Sequence, residues 1–147
     1  MGRDKEGADL RIGKGVDVHP FCEGRPLVLG GEKIPFPLGL AGHSDADVLL
    51  HAVCDAILGA AALGDIGLHF PDSDPANRNR SSLEILSLAA RTVEEAGFTV
   101  SNVDTCVLAA SEVSEQLRVC GQLQATQCSI QVPWTNLGSS PTSFGLR

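Results

Sequence analysis

All four histidines of this chain lie between positions 19 and 69, and three of them lie next to acidic or small polar residues. Asp17 and His19 are two apart on a segment that alternates as a strand does, so their side chains share one face and can ligate a single ion. His51 can approach the same ion from a helix. Zinc accepts imidazole nitrogen and carboxylate oxygen, and three protein ligands with one open position describe a catalytic site. Asp47, His51 and Asp55 recur at four-residue spacing, which lets a carboxylate one turn away orient His51. On spacing alone a plainer reading stays open, in which Asp17 and His19 are a surface pair at a strand end and His51 is a core histidine. His69 has no comparable neighbourhood and is read as a solvated loop residue.

These side chains need elements to hold them. Leu10–Val18 alternates as a strand and stops at His19-Pro20. Pro26–Leu29, Gly30-Gly31 and Lys33–Phe36 read as a hairpin around a glycine turn. Ser44 reads as an N-cap, with Asp45 and Asp47 in the first turn of a helix that runs to about Leu63. Gly64–Gly67 breaks that helix, and His69–Pro75 is a polar loop. Ser81 and Glu84 form a capping-box pattern, and Leu83, Leu86, Ala90 and Val93 supply an apolar face before Gly97 closes the second helix. Phe98–Val103 and Thr105–Ala109 favour a strand pair or one bent strand. The pattern is α+β: one domain, with a β-sheet packed against helices.

The 147 residues fit one domain, with 43% hydrophobic and 20% charged residues. The net charge of −7 gives no basic footprint for nucleic acid, and phosphate binding would call on metal ions. Five cysteines, Cys22, Cys54, Cys106, Cys120 and Cys128, include no Cys-x-x-Cys pair and read as reduced thiols. The charged opening residues lack a secretion or myristoylation pattern. Val48–Leu63, the most apolar stretch, is too short for a membrane span. No membrane association is expected.

Arg11-Ile12-Gly13-Lys14-Gly15-Val16-Asp17-Val18-His19 resembles the opening motif of the 2-C-methyl-D-erythritol 2,4-cyclodiphosphate synthase family, with Lys14 and Val16 where the family often has His and an aromatic residue. Gly42–His51 is similar to its second motif, and Gly64–Gly67 with Phe70–Pro75 to its third. Asn102-Val103-Asp104 and Val107-Leu108-Ala109 are similar to the strand leading to its cytidine pocket. The resemblance covers roughly residues 10–109.

It implies a homotrimer-forming synthase-like fold and a lyase of non-mevalonate isoprenoid (terpenoid) biosynthesis. The small-molecule substrate, a cytidine diphosphate derivative, would be 4-diphosphocytidyl-2-C-methyl-D-erythritol 2-phosphate, closed to the 2,4-cyclodiphosphate with release of CMP. Zn²⁺, or another divalent cation, would sit on Asp17, His19 and His51, and Mg²⁺ or Mn²⁺ would accompany the diphosphate. By the same resemblance His43 is the catalytic, transition-state-stabilising group, acting with Ser44 and the helix they open. Asp17, Val18 and His19 border the substrate, Asp65, Ile66 and Gly67 hold the erythritol hydroxyls, and Phe70, Pro71, Asp72, Ser73 and Asp74 form the adjoining wall. A bacterial cytoplasm is the expected location, with a plastid as the alternative.

After Ala109 the resemblance stops. The family's Gln-x-Pro-Lys turn is replaced by Ala110, Ser111, Glu112 and Val113, and later segments echo it faintly. The expected organisation is a disordered 1–9, a synthase-like 10–109 and a divergent 110–147 of the kind a reading-frame slip produces. Two functional readings follow: an active synthase, or a non-catalytic remnant that keeps the zinc site and has lost the nucleotide pocket. The ordered motifs disfavour an unrelated metal-dependent phosphohydrolase.

Overall fold

The computed structural model describes residues 10–108, and the structural statements below concern these. The elements are β1 (Phe21–Cys22), β2 (Leu27–Leu29), β3 (Glu32–Ile34), β4 (Gly39–Leu40), α1 (Val48–Ala60), α2 (Ile66–His69), a 3-10 turn (Pro75–Asn77) and α3 (Ser82–Glu95). β1 pairs antiparallel with β4, and β2 with β3. The expectations for residues 1–9 and from Ala109 onward fall outside the described residues.

The β2–β3 hairpin forms as expected, with Leu29 opposite Glu32. Gly30 and Gly31 have φ of 63° and 82°, the left-handed pair of a two-residue turn whose twist matches that of the strands. The buried Leu27, Leu29, Ile34, Leu40 and Ala46 then form one core cluster, flanked by Phe36, Val48 and Val107.

The second core cluster lies between the two long helices. Leu50, Val53, Cys54, Ile57 and Leu58 of α1 meet Ile85, Leu86, Ala89, Ala90 and Val93 of α3. Phe98, Val100 and Val103 pack on its edge. Burial pushes the Cys54 thiol up to about 12, helped by the charges of Asp55 and Asp47, so this cysteine is a neutral core side chain. Among the described residues, no helix is long and apolar enough to cross a membrane.

Both expected helices form, but their starts are built differently. The N-cap of α1 is Asp47, which accepts from Leu50 N–H, and no acidic residue occupies the first turn. Ser44 lies upstream and accepts from Ala46 N–H instead. At α3, Ser81 occupies the cap position without a side-chain bond, and Glu84 pairs with Arg80 at 3.5 Å. Asp45, far away in sequence, accepts from Ser82 N–H at 3.0 Å and takes over the capping. The Gly64–Gly67 break is present, and Asp65 there opens the short α2, which the polar composition did not announce.

The two other strand expectations are corrected. Leu10–Val18 and 98–108 contain no strand. Alternation of burial holds over Gly15–His19, where Val16 and Val18 are exposed and Gly15, Asp17 and His19 half-buried, whereas residues 10–14 are all exposed. A strand requires a ladder, and neither segment enters one among the described residues. They approach each other, with the Arg11 guanidinium 4.4 Å above the Phe98 ring, and with α1 they line a cavity of about 510 Å³.

Helix α3 ends in a Schellman turn: Gly97 N–H reaches Glu94 O at 2.9 Å and Phe98 N–H reaches Val93 O at 3.2 Å, with Gly97 at φ 87°. Helix α1 ends the same way, through Ala62 N–H to Gly59 O and Leu63 N–H to Leu58 O, but Ala62 holds the left-handed position at φ 58°. A Cβ is disfavoured there. Ala62→Gly is therefore expected to raise unfolding free energy by roughly 0.5–1 kcal/mol after the added freedom of the unfolded chain is counted. Urea melts of the two proteins check this.

Candidate metal centre and active site

Asp17, His19 and His51 converge although they come from an extended segment and from the first turn of α1. Asp17 Oδ1 accepts from the Val18 N–H at 2.8 Å, which turns Oδ2 toward both rings. Oδ2 lies 2.8 Å from His19 Nε2 and 3.0 Å from His51 Nδ1. All three ligand atoms fall within 4.8 Å of one another. The side chains retain 26%, 18% and 13% exposure respectively, enough for one open side.

The donor set fits a cation. His19 Nδ1 faces the Ala41 carbonyl, which can only accept, so Nδ1 carries the hydrogen and the Nε2 lone pair points at the Asp17 carboxylate. Two electron-rich atoms at that separation call for a positive charge, whether a proton or a metal ion. Burial alone would push the Asp17 carboxyl up, but the His51 hydrogen bond, the His19 charge and the Val18 N–H outweigh it and hold the group below its ordinary value. A carboxylate ionised so readily, with two imidazoles, suits zinc or a similar divalent ion.

Close backbone approach sets this geometry. A Cβ on Gly13 or Gly15 would run into the carbonyl oxygens of Ala56 and Ala52, so the segment carrying Asp17 and His19 lies directly on α1. Gly42 has the same role on the other side, where a Cβ would meet Ala46 Cβ at 2.9 Å and the His19 ring at 3.1 Å. The loop from Gly42 to Asp45 is anchored by Arg25, whose guanidinium donates to the carbonyls of Gly42 and Ser44. Asn79 N–H adds a bond to His43 O at 2.8 Å, and Asp45 N–H one to Arg80 O at 3.3 Å. Arg25 lies 17 residues before Gly42, and no local pattern announces it.

The remaining expected site residues are distributed as follows. Ser44 is buried, with Oγ 3.0 Å from His51 Nε2. It is not part of a helix start, so the expected use of helix N–H groups beside His43 and Ser44 is not realised. His43 is exposed, with Nδ1 3.3 Å from Asp72 Oδ2, which brings the third motif against the second. Asp65 spends one oxygen on Leu68 N–H at 2.9 Å, and Ile66 N–H is held by Asp55 at 2.8 Å. Asp55 stands one helical turn beyond His51, about 6 Å of rise, so Asp65–Gly67 is tethered beside the candidate metal ligands. Phe70 packs on the helical core, Pro71 O accepts from Asn77 Nδ2 at 3.0 Å, and Asp74 caps the 3-10 turn. Val18 and Ser73 are exposed.

Two expectations change here. Neither Asp47 nor Asp55 orients His51: Asp47 faces Gly31 N–H at 2.6 Å and Leu50 N–H, and Asp55 faces Ile66. His69 is exposed but neither merely solvated nor in a loop: it is the last residue of α2, and its Nε2 donates to Leu63 O at 2.8 Å.

The model of the YgbB family matches residues 10–131. The chain belongs to that family. A 2-C-methyl-D-erythritol 2,4-cyclodiphosphate synthase of Syntrophobacter fumaroxidans is 61% identical over 99 residues, which cover 67% of this chain and 62% of that protein. A synthase structure in its CDP-bound form shares 53% identity and a TM-score of 0.55, over 59% of this chain and 58% of that one. Another synthase structure shares 40% identity and a TM-score of 0.60, over 82% and 85% of the two chains. The chain spans a little over three-fifths of the length of the curated relatives it matches. The α+β, synthase-like fold and the resemblance carried by the three motifs are borne out, and none of these relatives lends support to a non-catalytic remnant.

Two expected outcomes follow for this YgbB-family site. Gly15→Ala should displace Asp17 and weaken zinc binding at least about tenfold, because a ligand misplaced by its supporting structure costs that much; competition with a chromophoric chelator measures it. Because the Asp17 pKa is lowered on folding, its contribution to the metal-free protein is complete above the unfolded-state value and is lost as pH falls through the folded one. Asp17→Asn should flatten that acid stretch of the stability profile, followed by urea melts at stepped pH.

Proposed function

We propose that this chain is a 2-C-methyl-D-erythritol 2,4-cyclodiphosphate synthase, a lyase of isoprenoid biosynthesis that releases CMP. The observation that carries the proposal is the convergence of Asp17, His19 and His51 within a chain 61% identical over 99 residues to a protein of that name. In the reaction an oxygen of the 2-phosphate attacks the β-phosphorus of the cytidine diphosphate. One P–O bond forms, the bond to the α-phosphate breaks, and CMP leaves with no water consumed.

The residues of the chain account for positioning. Asp17, His19 and His51 would hold Zn²⁺, which supplies Lewis acidity and charge neutralisation beside the β-phosphate. Mg²⁺ or Mn²⁺ on the diphosphate is supported by the net charge of −7, which leaves little cationic surface for phosphates. Asp72 accepts from His43 Nδ1–H and holds the ring at the site, and in its imidazolium form His43 also donates through Nε2 to an equatorial phosphate oxygen as charge builds. Their ion pair is exposed and weak, so substrate displaces Asp72 at small cost. Asp17–His19 and Ser44 border the phosphates, while Asp65–Gly67 and Phe70–Asp74 bind the erythritol. Cyclisation within one bound substrate needs mainly orientation and electrostatic stabilisation.

A homotrimer is proposed as the working form. Leu10, Ile12, Val16 and Val18 are 79%, 89%, 68% and 82% exposed on one face of an extended segment, an apolar stripe of the kind that marks an interface. Light scattering should give three times the chain mass. The bacterial relative supports a cytoplasmic location over a plastid.

The zinc-loaded protein with Mg²⁺ and the substrate should produce CMP and the cyclic diphosphate, read by phosphorus NMR, and chelation should abolish both. His43→Gln should lower kcat about 10²–10³-fold, as loss of one charge-stabilising donor does. Zinc binding without CMP release would overturn the synthase reading in favour of the remnant.

A further inference from the structure

The two rings of the metal centre are held by different means. His19 is fixed by a backbone carbonyl, whereas His51 Nε2 faces two hydroxyls, Ser44 Oγ and Ser82 Oγ, each at 3.0 Å. A hydroxyl can donate or accept, so these contacts alone do not say which nitrogen of His51 holds the hydrogen. The residue behind Ser82 decides it. Ser82 is fully buried, and its hydroxyl bonds to Asp45 Oδ1, while the other oxygen of Asp45 accepts from Ser82 N–H at 3.0 Å. An ionised carboxylate only accepts, so the single hydroxyl hydrogen of Ser82 is committed to Asp45. Ser82 Oγ is left as an acceptor toward the ring, and His51 Nε2 must be the donor. Nδ1, 3.0 Å from Asp17 Oδ2, is then the nitrogen left for a metal ion.

We propose that Ser82, with Asp45 behind it, is the positioning residue that fixes the tautomer and ring orientation of His51 for metal binding. This rests on the reading of Asp17, His19 and His51 as a metal site. Ser44 cannot substitute fully: its oxygen already accepts from Ala46 N–H at 3.0 Å, and its hydroxyl, 3.5 Å from Ser82 Oγ, has no carboxylate behind it to commit its hydrogen. The chain from carboxylate to hydroxyl to imidazole also joins the start of α3 to the first turn of α1, so the metal site reports on the docking of the two helices.

Zinc affinity by chelator competition, the visible spectrum of the Co²⁺-loaded protein and the melting temperature of the metal-free protein are measured for wild type, Ser82→Ala, Asp45→Asn, Ser81→Ala and His51→Ala. Ser82→Ala should bind zinc about tenfold more weakly, since outer-shell partners of metal-bound histidine carry effects of about 10–100-fold and Ser44 retains part of the contact. Its Co²⁺ bands should shift, which a loss of helix stability alone would not cause. Asp45→Asn should act in the same direction, and it carries the test if Ser82→Ala does not fold. Ser81→Ala removes a neighbouring hydroxyl without a side-chain cap bond and should match wild type. Wild-type affinity and bands in both Ser82→Ala and Asp45→Asn would overturn the proposal while leaving the metal site standing. Equal zinc binding by wild type and His51→Ala would overturn the metal site itself, and this inference with it.

Discussion

Two carboxylates separated by a single alanine start the two long helices of the described residues. Asp47 caps α1 through Leu50 N–H and reaches the hairpin turn through Gly31 N–H, while Asp45 caps α3 through Ser82 N–H. They can face different elements because Ala46 between them takes a left-handed conformation, φ 60°, and so turns the chain sharply. That conformation is unfavourable for an L-residue and persists only when its surroundings over-determine it. Here they do, since Ala46 is fully buried against Gly42 and the β2–β3 cluster. His51, Ser44 and Ser82 inherit their positions from this turn.

Burial of Asp47 has an energetic consequence opposite to that of Asp17. Desolvation pushes the Asp47 carboxyl up, and the N–H groups of Gly31, Gly30 and Leu50 offset that only in part. A raised folded-state pKa means that ionised Asp47 weighs against folding above that value and is relieved as pH falls through it, whereas Asp17 adds stability at neutral pH and loses it in acid. The first carboxylate organises a junction at a cost, and the second is stabilised by the histidines it faces. A neutral amide at Asp47 would not repair the cost, because its NH₂ would oppose one of two N–H donors now served by separate oxygens.

What was legible in the sequence rests mostly on local contacts. The Gly30-Gly31 turn, the two helical faces and the Gly97 stop all depend on residues a few positions apart, and they form within a few residues of their expected limits. The α3 cap was misread because Asp45 bonds to a residue 37 positions away, which no capping pattern encodes, whereas the α1 cap is a local Asp47–Leu50 bond that Ser44, an equally suitable cap residue upstream, obscured. The glycine spacing around Asp17 and His19 was visible only as part of a resemblance, yet its physical meaning is the contact with Ala52 and Ala56. Leu10–Val18 alternates as a strand should, but alternation reports two faces and not the presence of a pairing partner.

That last point bears on how the site is held. The segment bearing Asp17 and His19 is fixed on one side by α1, through Gly13 and Gly15, while its apolar residues Ile12, Val16 and Val18 face outward. Its hold on the ligands therefore comes from the glycine contacts, the Val18 N–H bond to Asp17 and the bond of His19 to Ala41. A partner covering the outer face would bury the apolar stripe and stiffen the same segment, coupling assembly to metal affinity without touching a ligand. The arrangement ties an element lacking a sheet ladder among the described residues to the candidate metal site, and the missing Cβ at Gly13 and Gly15 is what lets that element lie on the backbone of α1.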